Sequence, residues 1–495
     1  MENQLKRYQM YIDGQWVDSA SGETFTSFNP ATGEPWCTVP KGTAEDVDRA
    51  VRAACKAFED SAWAGMTYTQ RGKLLRRLGD LIAERAEELA VYETLDNGKL
   101  LREMRGQLKY LPEFYHYFAG LADKIHGETL PIDKPDLFVF STREPLGVVA
   151  AITPWNSPLY LTTLKLAPAL AVGNTIVIKP SEVTSASLLE LMRLVEEAGF
   201  PPGVVNVVTG FGNPVGSALT SHPLVNRIAF TGGPESARHV VRGSAENFAR
   251  VSLELGGKSP NIVFEDADPY NAAMGIVAGI FGAAGQSCVA GSRAFIHADV
   301  YDKVMELLVG RASDIKIGDP MAGETEMGPL AIPGQLQRVE EYVQAGLDEG
   351  AKLVFGGRRP EGLGKGWYYT PTIFEDASNQ MKIAQEEIFG PVLTVIPFRG
   401  EEEVVKLANE SKYGLAAGIW TSNVGKAHRV AKAIRAGIVW VNTYRSISPI
   451  APIGGVKFSG YGREGGWEAI YEYTQSKVVW VNTSTEPMPD PFIMR

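Results

Sequence analysis

The sequence predicts an α/β protein with parallel sheet in more than one domain. Three observations carry that expectation. From Val148 onward, short apolar strands alternate with helical stretches, the pattern of βαβ units. The same alternation starts afresh at Asn261, which makes a second α/β unit. A chain of 495 residues is also too long for one ordinary domain, so two large domains and a small element are expected.

In chain order, residues 8–40 read as short strands and turns, with Asp13-Gly14 as a hairpin signal. Thr43, with Asp46 three residues on, marks a helix start. Residues 68–95 and 102–122 are rich in Leu, Ala, Glu and Arg and read as helical, and Pro112 marks a kink or boundary in the second stretch. Residues 125–143, with Gly127, Pro131 and Pro135, read as an extended excursion. The first α/β unit then places strands at 148–152, 175–179, 204–208 and 227–230. Its helices fall at 159–171 and 184–198, just after Pro214, and near 235–246. The second unit runs from Asn-Ile-Val-Phe at 261–264 to Gly-Ile-Val-Trp-Val-Asn at 437–442. The tail Thr-Gln-Ser-Lys-Val-Val-Trp-Val-Asn at 474–482 is a separate strand, suited to pairing with an exposed sheet edge in this subunit or another.

Composition narrows the function. The chain is 44% hydrophobic and 21% charged, with a net charge of −10, which leaves no electrostatic footprint for nucleic acid or an anionic membrane. No uncharged apolar run approaches the ~18 residues of a membrane span, and the N-terminal stretch has no apolar leader segment. The three cysteines, Cys37, Cys55 and Cys288, do not form a disulfide framework. A cytoplasmic protein is expected. The six histidines show no i, i+3 or i+4 pairing, so no metal site is expected.

The densest chemistry lies in Phe281–Arg293, F-G-A-A-G-Q-S-C-V-A-G-S-R. Small residues around Cys288 let the backbone approach a ligand. The thiol would be reachable, and its own N–H could face a developing oxyanion; the alternative is a small cysteine buried between packed elements. Glu254 lies in an apolar strand before Gly256-Gly257. Burial would raise its pKa toward that of a general base, unless a lysine or backbone amide holds it. Asn156, in T-P-W-N-S-P after strand 148–152, could add an amide donor to the oxyanion or simply make a turn between prolines. Lys179 and Glu182, in I-V-I-K-P-S-E, follow a strand and suit ribose hydroxyls or a surface ion pair. Glu387 and Phe389, in E-E-I-F-G-P-V, are two apart and are expected on one side of a strand.

Two motifs fail. Gly257-Lys258-Ser259 would need a glycine at position 252 to end a P-loop, and Ser252 stands there. Gly210, Gly212 and Gly216 are spaced one residue too long for the dinucleotide fingerprint.

Together the segments P-W-N, I-K-P-S-E, F-T-G, L-E-L-G-G-K-S-P, G-Q-S-C, E-E-I-F-G-P-V and G-G-V-K-F-S-G-Y-G-R-E resemble the NAD(P)-dependent aldehyde dehydrogenase superfamily, of the hydrolytic, non-acylating type. They occur in family order over nearly the whole chain. The resemblance implies a Rossmann-like cofactor domain (1–124 and 146–256), a second α/β catalytic domain (257–456) and a small β oligomerisation element (125–145 and 472–495). It also implies a homodimer or homotetramer.

It further implies that Cys288 attacks the aldehyde and that Asn156 and the Cys288 N–H hold the oxyanion. Hydride then passes to the nicotinamide, and Glu254 activates the water that hydrolyses the thioester. Lys179 and Glu182 would bind the adenosine ribose, with the Glu182 charge favouring NAD over NADP. Glu387 and Phe389 would hold the nicotinamide ribose and ring. Ile152, Thr153, Trp155, Gly212, Gly216, Gly232, Gly233 and Leu255 complete the cofactor path. Where the family commonly has serine after F-T-G, this chain has Gly233-Pro234, which keeps a helix N-terminus for phosphate but drops a hydroxyl and an N–H.

For substrate, the resemblance points to a pocket of Tyr160, Leu164, Ser287, Tyr444 and Arg445. Arg445 suits a carboxylate on a semialdehyde or simply faces solvent at the pocket rim; aromatic and unbranched aliphatic aldehydes are the other candidates. Glu254 argues against a coenzyme-A-acylating enzyme. Retention of Cys288, Glu254, Asn156 and Lys179 together argues against a silent binding scaffold.

Overall fold

The first α/β alternation folds as one sheet whose strand order places a ligand cleft at its centre. A computed structural model describes residues 5–488 and 490–493. Residues 1–4 of the expected cofactor domain, which also begin the stretch read for a leader, lie outside the described residues, as do Pro489, Met494 and Arg495 of the expected bridging element. Among the described residues, eight strands stand in the order Gly460–Tyr461, Arg250–Glu254, Val225–Thr231, Val148–Ile152, Thr175–Lys179, Val205–Val207, Met10–Ile12 and Gln15–Val17. The middle five are parallel. From Val148–Ile152 the chain steps outward through Thr175–Lys179 and Val205–Val207. It then returns to build Val225–Thr231 and Arg250–Glu254 on the other side. This reversal is a topological switch point, and the carboxyl ends of the strands beside it are where an open α/β sheet binds ligands. In register, Ile152 faces Lys179 and Phe230, and Thr231 faces Glu254, so the residues singled out from the sequence emerge on one edge.

The second alternation forms a seven-stranded sheet in the order Lys352–Phe355, Thr372–Glu375, Val392–Phe398, Arg293–His297, Pro260–Val263, Ala416–Trp420 and Ile438–Val441. It is parallel except at Lys352–Phe355. Each sheet buries its own apolar side chains against its helices. The chain returns to the first sheet after completing the second, because Gly460–Tyr461 pairs with Leu253 and Glu254. That strand lies between the spans expected for the catalytic and bridging elements.

Local chemistry accounts for several boundaries. Asp13 and Gly14 both have positive φ, 54° and 72°, as a two-residue turn matching strand twist requires, and Tyr11 and Trp16 pair across it. Thr43 and Asp46 form a capping box, with Thr43 N–H donating to Asp46 Oδ2 at 2.9 Å. The stretch 68–95 breaks at Arg85 into Tyr68–Glu84 and Ala86–Asn97. Pro112 opens helix Pro112–Leu121 after Leu101–Tyr110, where its missing N–H costs nothing. The tail strand Thr474–Asn482 pairs antiparallel with Leu137–Pro145 over its whole length. The ribbon leaves Phe138 and Trp480 exposed by 47% and 57%.

Candidate active site

The loop that carries Cys288 takes its shape from an unusual run of backbone. Ala283, Ala284 and Gly285 all have positive φ, at 54°, 52° and 73°. At Gly285 a Cβ would stand 2.0 Å from the Gly390 carbonyl oxygen, so only glycine lets the Glu387–Gly390 loop lie against this turn. Gln286 anchors the segment beyond the turn. Its Oε1 accepts from Ala331 N–H at 2.9 Å, and its Nε2 donates to the Ala283 and Pro329 carbonyls. Cys288, two residues further on, is half-buried. The Gly256-Gly257 pair brings the end of the Glu254 strand up to it: a Cβ on Gly257 would stand 2.6 Å from the Cys288 carbonyl oxygen.

Cys288, Glu254 and Asn156 line one cleft of about 380 Å³, with Trp155, Leu255, Glu387 and Phe389. A second cleft of about 600 Å³ is lined by Ile152, Thr153, Lys179, Glu182, Gly212 and Gly216. Trp155, Thr231, Gly232, Gly233 and Ser236 line both. The structure thus brings together all three expected catalytic residues and all twelve expected cofactor residues. Burial raises the Glu254 carboxyl well above its usual range, the Glu464 carboxylate adds to the rise, and Lys165 and Arg463 oppose it. Its Oε1 has no hydrogen-bond partner. Burial likewise pushes the Cys288 thiol up to about 12, helped by the Glu387 and Glu254 charges. Asn156 Nδ2 donates to the Gln286 carbonyl at 3.2 Å, which leaves its other N–H for a ligand.

The larger cleft has the chemistry of a dinucleotide site. Helix Pro234–Ser244 begins at its wall, with Gly233 as N-cap, so a positive helix end faces the cleft. Lys179, buried and lowered in pKa mainly by that burial, lies 3.5 Å from the half-exposed Glu182 carboxylate. Gly216 leaves room over the Lys179 side chain.

One expectation needs correction. Glu387 and Phe389 do not share a strand. They lie in the loop between helix Lys382–Gln385 and strand Val392–Phe398, where Phe389 has a φ of 62°. The reason is the close contact at Gly285 described above, together with Gly390 and Pro391, which break strand pairing before Val392. Glu387 instead accepts from Gly257 N–H at 3.1 Å, and burial raises its carboxyl to about 7. Phe389 meets Trp155 edge-on at 5.2 Å.

None of the five expected substrate residues lines either cleft. Leu164 is buried with Phe114 and Leu161, and Tyr160 packs against that cluster with its hydroxyl unpartnered. Ser287 is half-buried beside Cys288. Tyr444 is spent behind the loop, donating its hydroxyl to the Val289 carbonyl at 2.9 Å. Arg445, at a φ of 62°, donates to the Ala278 carbonyl at 3.3 Å, and a Cβ on Gly282 would strike its Nη1. No ion pair engages Arg445 among the described residues.

Sequence reasoning missed the buried charges around Glu254. Lys165 donates to Thr231 Oγ1 at 2.6 Å and pairs with Glu464 in full burial. The signal was present, since Lys165 is the lone charge in the otherwise apolar helix Pro158–Ala171, and Glu464 closes the G-Y-G-R-E stretch.

The sequence profile described as "Aldehyde dehydrogenase family" matches residues 16–479. The chain is 51% identical over 492 residues to (Z)-2-((N-methylformamido)methylene)-5-hydroxybutyrolactone dehydrogenase of Acinetobacter baylyi, covering 99% of this chain and 100% of that one. It is 44% identical over 476 residues to betaine aldehyde dehydrogenase of Bacillus subtilis, covering 96% and 97%. Among solved structures, it superposes with a TM-score of 0.96 on a betaine aldehyde dehydrogenase point mutant from Staphylococcus aureus, in complex with NAD+ and with a β-mercaptoethanol-modified cysteine. That match has 42% identity and covers 98% and 99% of the two chains. An NAD+ complex of aldehyde dehydrogenase from Bacillus cereus matches with a TM-score of 0.95 at 46% identity, covering 97% of each chain.

Proposed function

The chain belongs to the aldehyde dehydrogenase family, whose members oxidise aldehydes to carboxylic acids, and from that premise we propose that it oxidises a carboxylate-bearing aldehyde with NAD, using Cys288, Glu254 and Asn156. One observation carries the assignment of residues: a thiol, a buried carboxyl with an unpartnered oxygen and an amide donor line one cleft that shares a wall with a larger one suited to a dinucleotide.

In this reading the Cys288 thiolate adds to the aldehyde carbon and forms a thiohemiacetal. Asn156 and the Cys288 N–H donate to the oxygen as it gains charge. NAD, when bound, supplies the acceptor for the hydride that leaves this carbon. Lys179 and Glu182 would hold its adenosine ribose, the N-terminus of helix Pro234–Ser244 its phosphates, and Glu387 and Phe389 its nicotinamide end. The Glu182 charge disfavours a 2′-phosphate, so NAD is used in preference to NADP. Glu254 then takes a proton from water, which attacks the thioester, releases the carboxylic acid and returns Cys288. Residues up to 256, with the 125–145 excursion excepted, serve the cofactor, and residues 257–456 supply the nucleophile. NADH formation from a panel of aldehydes without coenzyme A tests the reading. Turnover by the wild type and none by Cys288→Ala is expected. A wild type that binds NAD yet oxidises no aldehyde would contradict it.

The proposed substrate class rests on a relative's name and on Arg445, which lines neither cleft but stands beside Gly282 in the segment that leads to Cys288. Its guanidinium has donors to spare, and the Acinetobacter relative is named for a 5-hydroxybutyrolactone. Chemically, such a lactone opens to an aldehyde bearing its own carboxylate. Arg445→Ala is expected to raise KM for 4-oxobutanoate by about 10- to 100-fold, the worth of a charged hydrogen-bonded pair, with KM for propanal unmoved. An unchanged KM for 4-oxobutanoate would remove this part of the reading.

The ribbon of Leu137–Pro145 and Thr474–Asn482, with its exposed apolar side chains, supports assembly into a homodimer or homotetramer. Size-exclusion chromatography of Trp480→Lys, expected to elute later than wild type, tests it. Three free cysteines fit a reducing, cytoplasmic setting, and no helix among the described residues is long and apolar enough to cross a membrane.

A further inference from the structure

Helix Ala86–Asn97 ends at Gly98, whose φ is 75° and whose N–H donates to the Thr94 carbonyl at 2.9 Å. The turn is boxed in. A Cβ on Gly98 would stand 2.7 Å from Pro329 Cγ and 2.9 Å from Pro30 Cβ, so the turn cannot drift relative to Pro329. The Pro329 carbonyl accepts from Gln286 Nε2 at 3.4 Å. Gln286 stands two residues before Cys288, and its own carbonyl accepts from Asn156 Nδ2 at 3.2 Å. On the other side of the turn, Lys99 Nζ donates to Ser157 Oγ at 2.5 Å, and Asn97 Nδ2 faces the Asn156 carbonyl at 3.5 Å. Asn97 Oδ1 in turn accepts from Lys99 N–H at 3.0 Å. A single turn is therefore tied to both halves of the oxyanion site. It reaches the Cys288 loop through Pro329 and Gln286, and the Asn156-Ser157 segment through Lys99.

An ammonium is an expensive way to fill space in an interior. Lys99 is only 7% exposed. Burial lowers its pKa to about 8, and the Glu93 carboxylate works hardest against that, with Glu103 and Cys288 adding and Arg445 opposing. Glu93 has no exposure, and neither of its oxygens has a hydrogen-bond partner. Burial raises its carboxyl to about 7, and the Lys99 charge opposes that rise most. Asp96, on the same helix, is engaged by Ser187 N–H at 2.8 Å. Methionine would fill the volume of Lys99 about as well, but it could not donate to Ser157.

We propose that Lys99 is a positioning residue for the oxidation: through Ser157, with Asn97 beside it, it holds the Asn156 amide at the spacing from Cys288 that the oxyanion requires. The proposal rests on the reading of Asn156 as an oxyanion donor. Misplacing such a donor by about 1 Å costs as much as 100-fold in rate.

The test is a double-mutant cycle on the full-length enzyme, with NAD affinity and thermal unfolding measured on every variant. Lys99→Met and Ser157→Ala are each expected to lower kcat by about tenfold or more, with the Kd for NAD within twofold of wild type. In an Asn156→Ala background, Lys99→Met is expected to cost less than about threefold, because the group it positions is gone. An equal loss from Lys99→Met in both backgrounds would reduce Lys99 to a structural role and overturn the proposal. So would an unchanged kcat in Lys99→Met while Asn156→Ala is impaired. Wild-type kcat in Asn156→Ala would overturn the oxyanion reading itself, and this proposal with it. If Lys99→Met does not fold, Ser157→Ala enters the same cycle and is judged by the same outcomes.

Discussion

Replacing Gly256 by alanine isolates the role assigned to Glu387. A Cβ at position 256 would stand 1.9 Å from Glu387 Oε2 and 2.4 Å from its Cδ. The carboxylate must withdraw by about 1 Å to reach even a tight contact. It can do so, since it is the far end of a flexible side chain, but it then gives up the 3.1 Å bond from Gly257 N–H. The fold should tolerate the change, while a cofactor hydroxyl bound by that carboxylate should lose its partner. A hydrogen bond to a charged group contributes about 1.5–3 kcal/mol, so NAD affinity is expected to fall by about 10- to 150-fold. Titration of tryptophan fluorescence with NAD reads this directly. Gly310→Ala is the control: it lies on helix Tyr301–Ser313, away from both clefts, nothing lies within 4 Å of its built Cβ, and its Kd is expected to stay within twofold. Wild-type affinity in Gly256→Ala would refute the assignment of Glu387 to the cofactor.

Three further outcomes are expected from the charges of the site. The Cys288 thiol is held up by burial and then by the Glu387 and Glu254 charges. Removing either negative charge favours the thiolate, so Glu254→Gln and Glu387→Gln should move the pH midpoint of iodoacetamide alkylation downward; an upward shift would contradict the electrostatics. Glu182→Ala removes the charge that opposes a 2′-phosphate, so its kcat/KM with NADP relative to NAD should rise at least tenfold, and an unchanged ratio would detach Glu182 from cofactor choice. Lys165→Met leaves Glu464 buried without its partner beside Glu254, which should cost about 3–5 kcal/mol of stability by urea unfolding; no shift would mean that the pair is not needed.

Elements with local rules were legible from the sequence. The capping box at Thr43, the turn at Asp13-Gly14 and the helix start at Pro112 depend on neighbours in the chain, and they formed where those neighbours required. The strand ends that carry Ile152, Lys179 and Glu254 were legible because apolar runs bounded by polar residues and glycines mark them. The loop at Glu387 was not, because Phe389 is held at positive φ by packing of Gly390 against Gly285, more than 100 positions away in the chain. Glu93, Lys99, Lys165 and Glu464 were passed over for a related reason. A charge in a helix, as at Glu93 and Lys165, or in a turn or loop, as at Lys99 and Glu464, reads as solvated, and only the tertiary fold turns it inward. Arg293 repeats the lesson: it is fully buried and satisfied by the Lys258, Leu407 and Ala408 carbonyls and Asn379 Oδ1, none of them adjacent to it in the chain.

The most direct test of the central claim is a pre-steady-state burst experiment on Glu254→Gln with NAD and aldehyde in excess, followed by mass spectrometry of the cysteine-containing peptides. If Cys288 is the nucleophile and Glu254 activates the hydrolytic water, each subunit should release one NADH in a burst and then stall. The peptide carrying Cys288 should gain the mass of the acyl group, while those carrying Cys37 and Cys55 stay unmodified. Continued turnover at the wild-type rate with no acyl group on Cys288 would contradict both assignments.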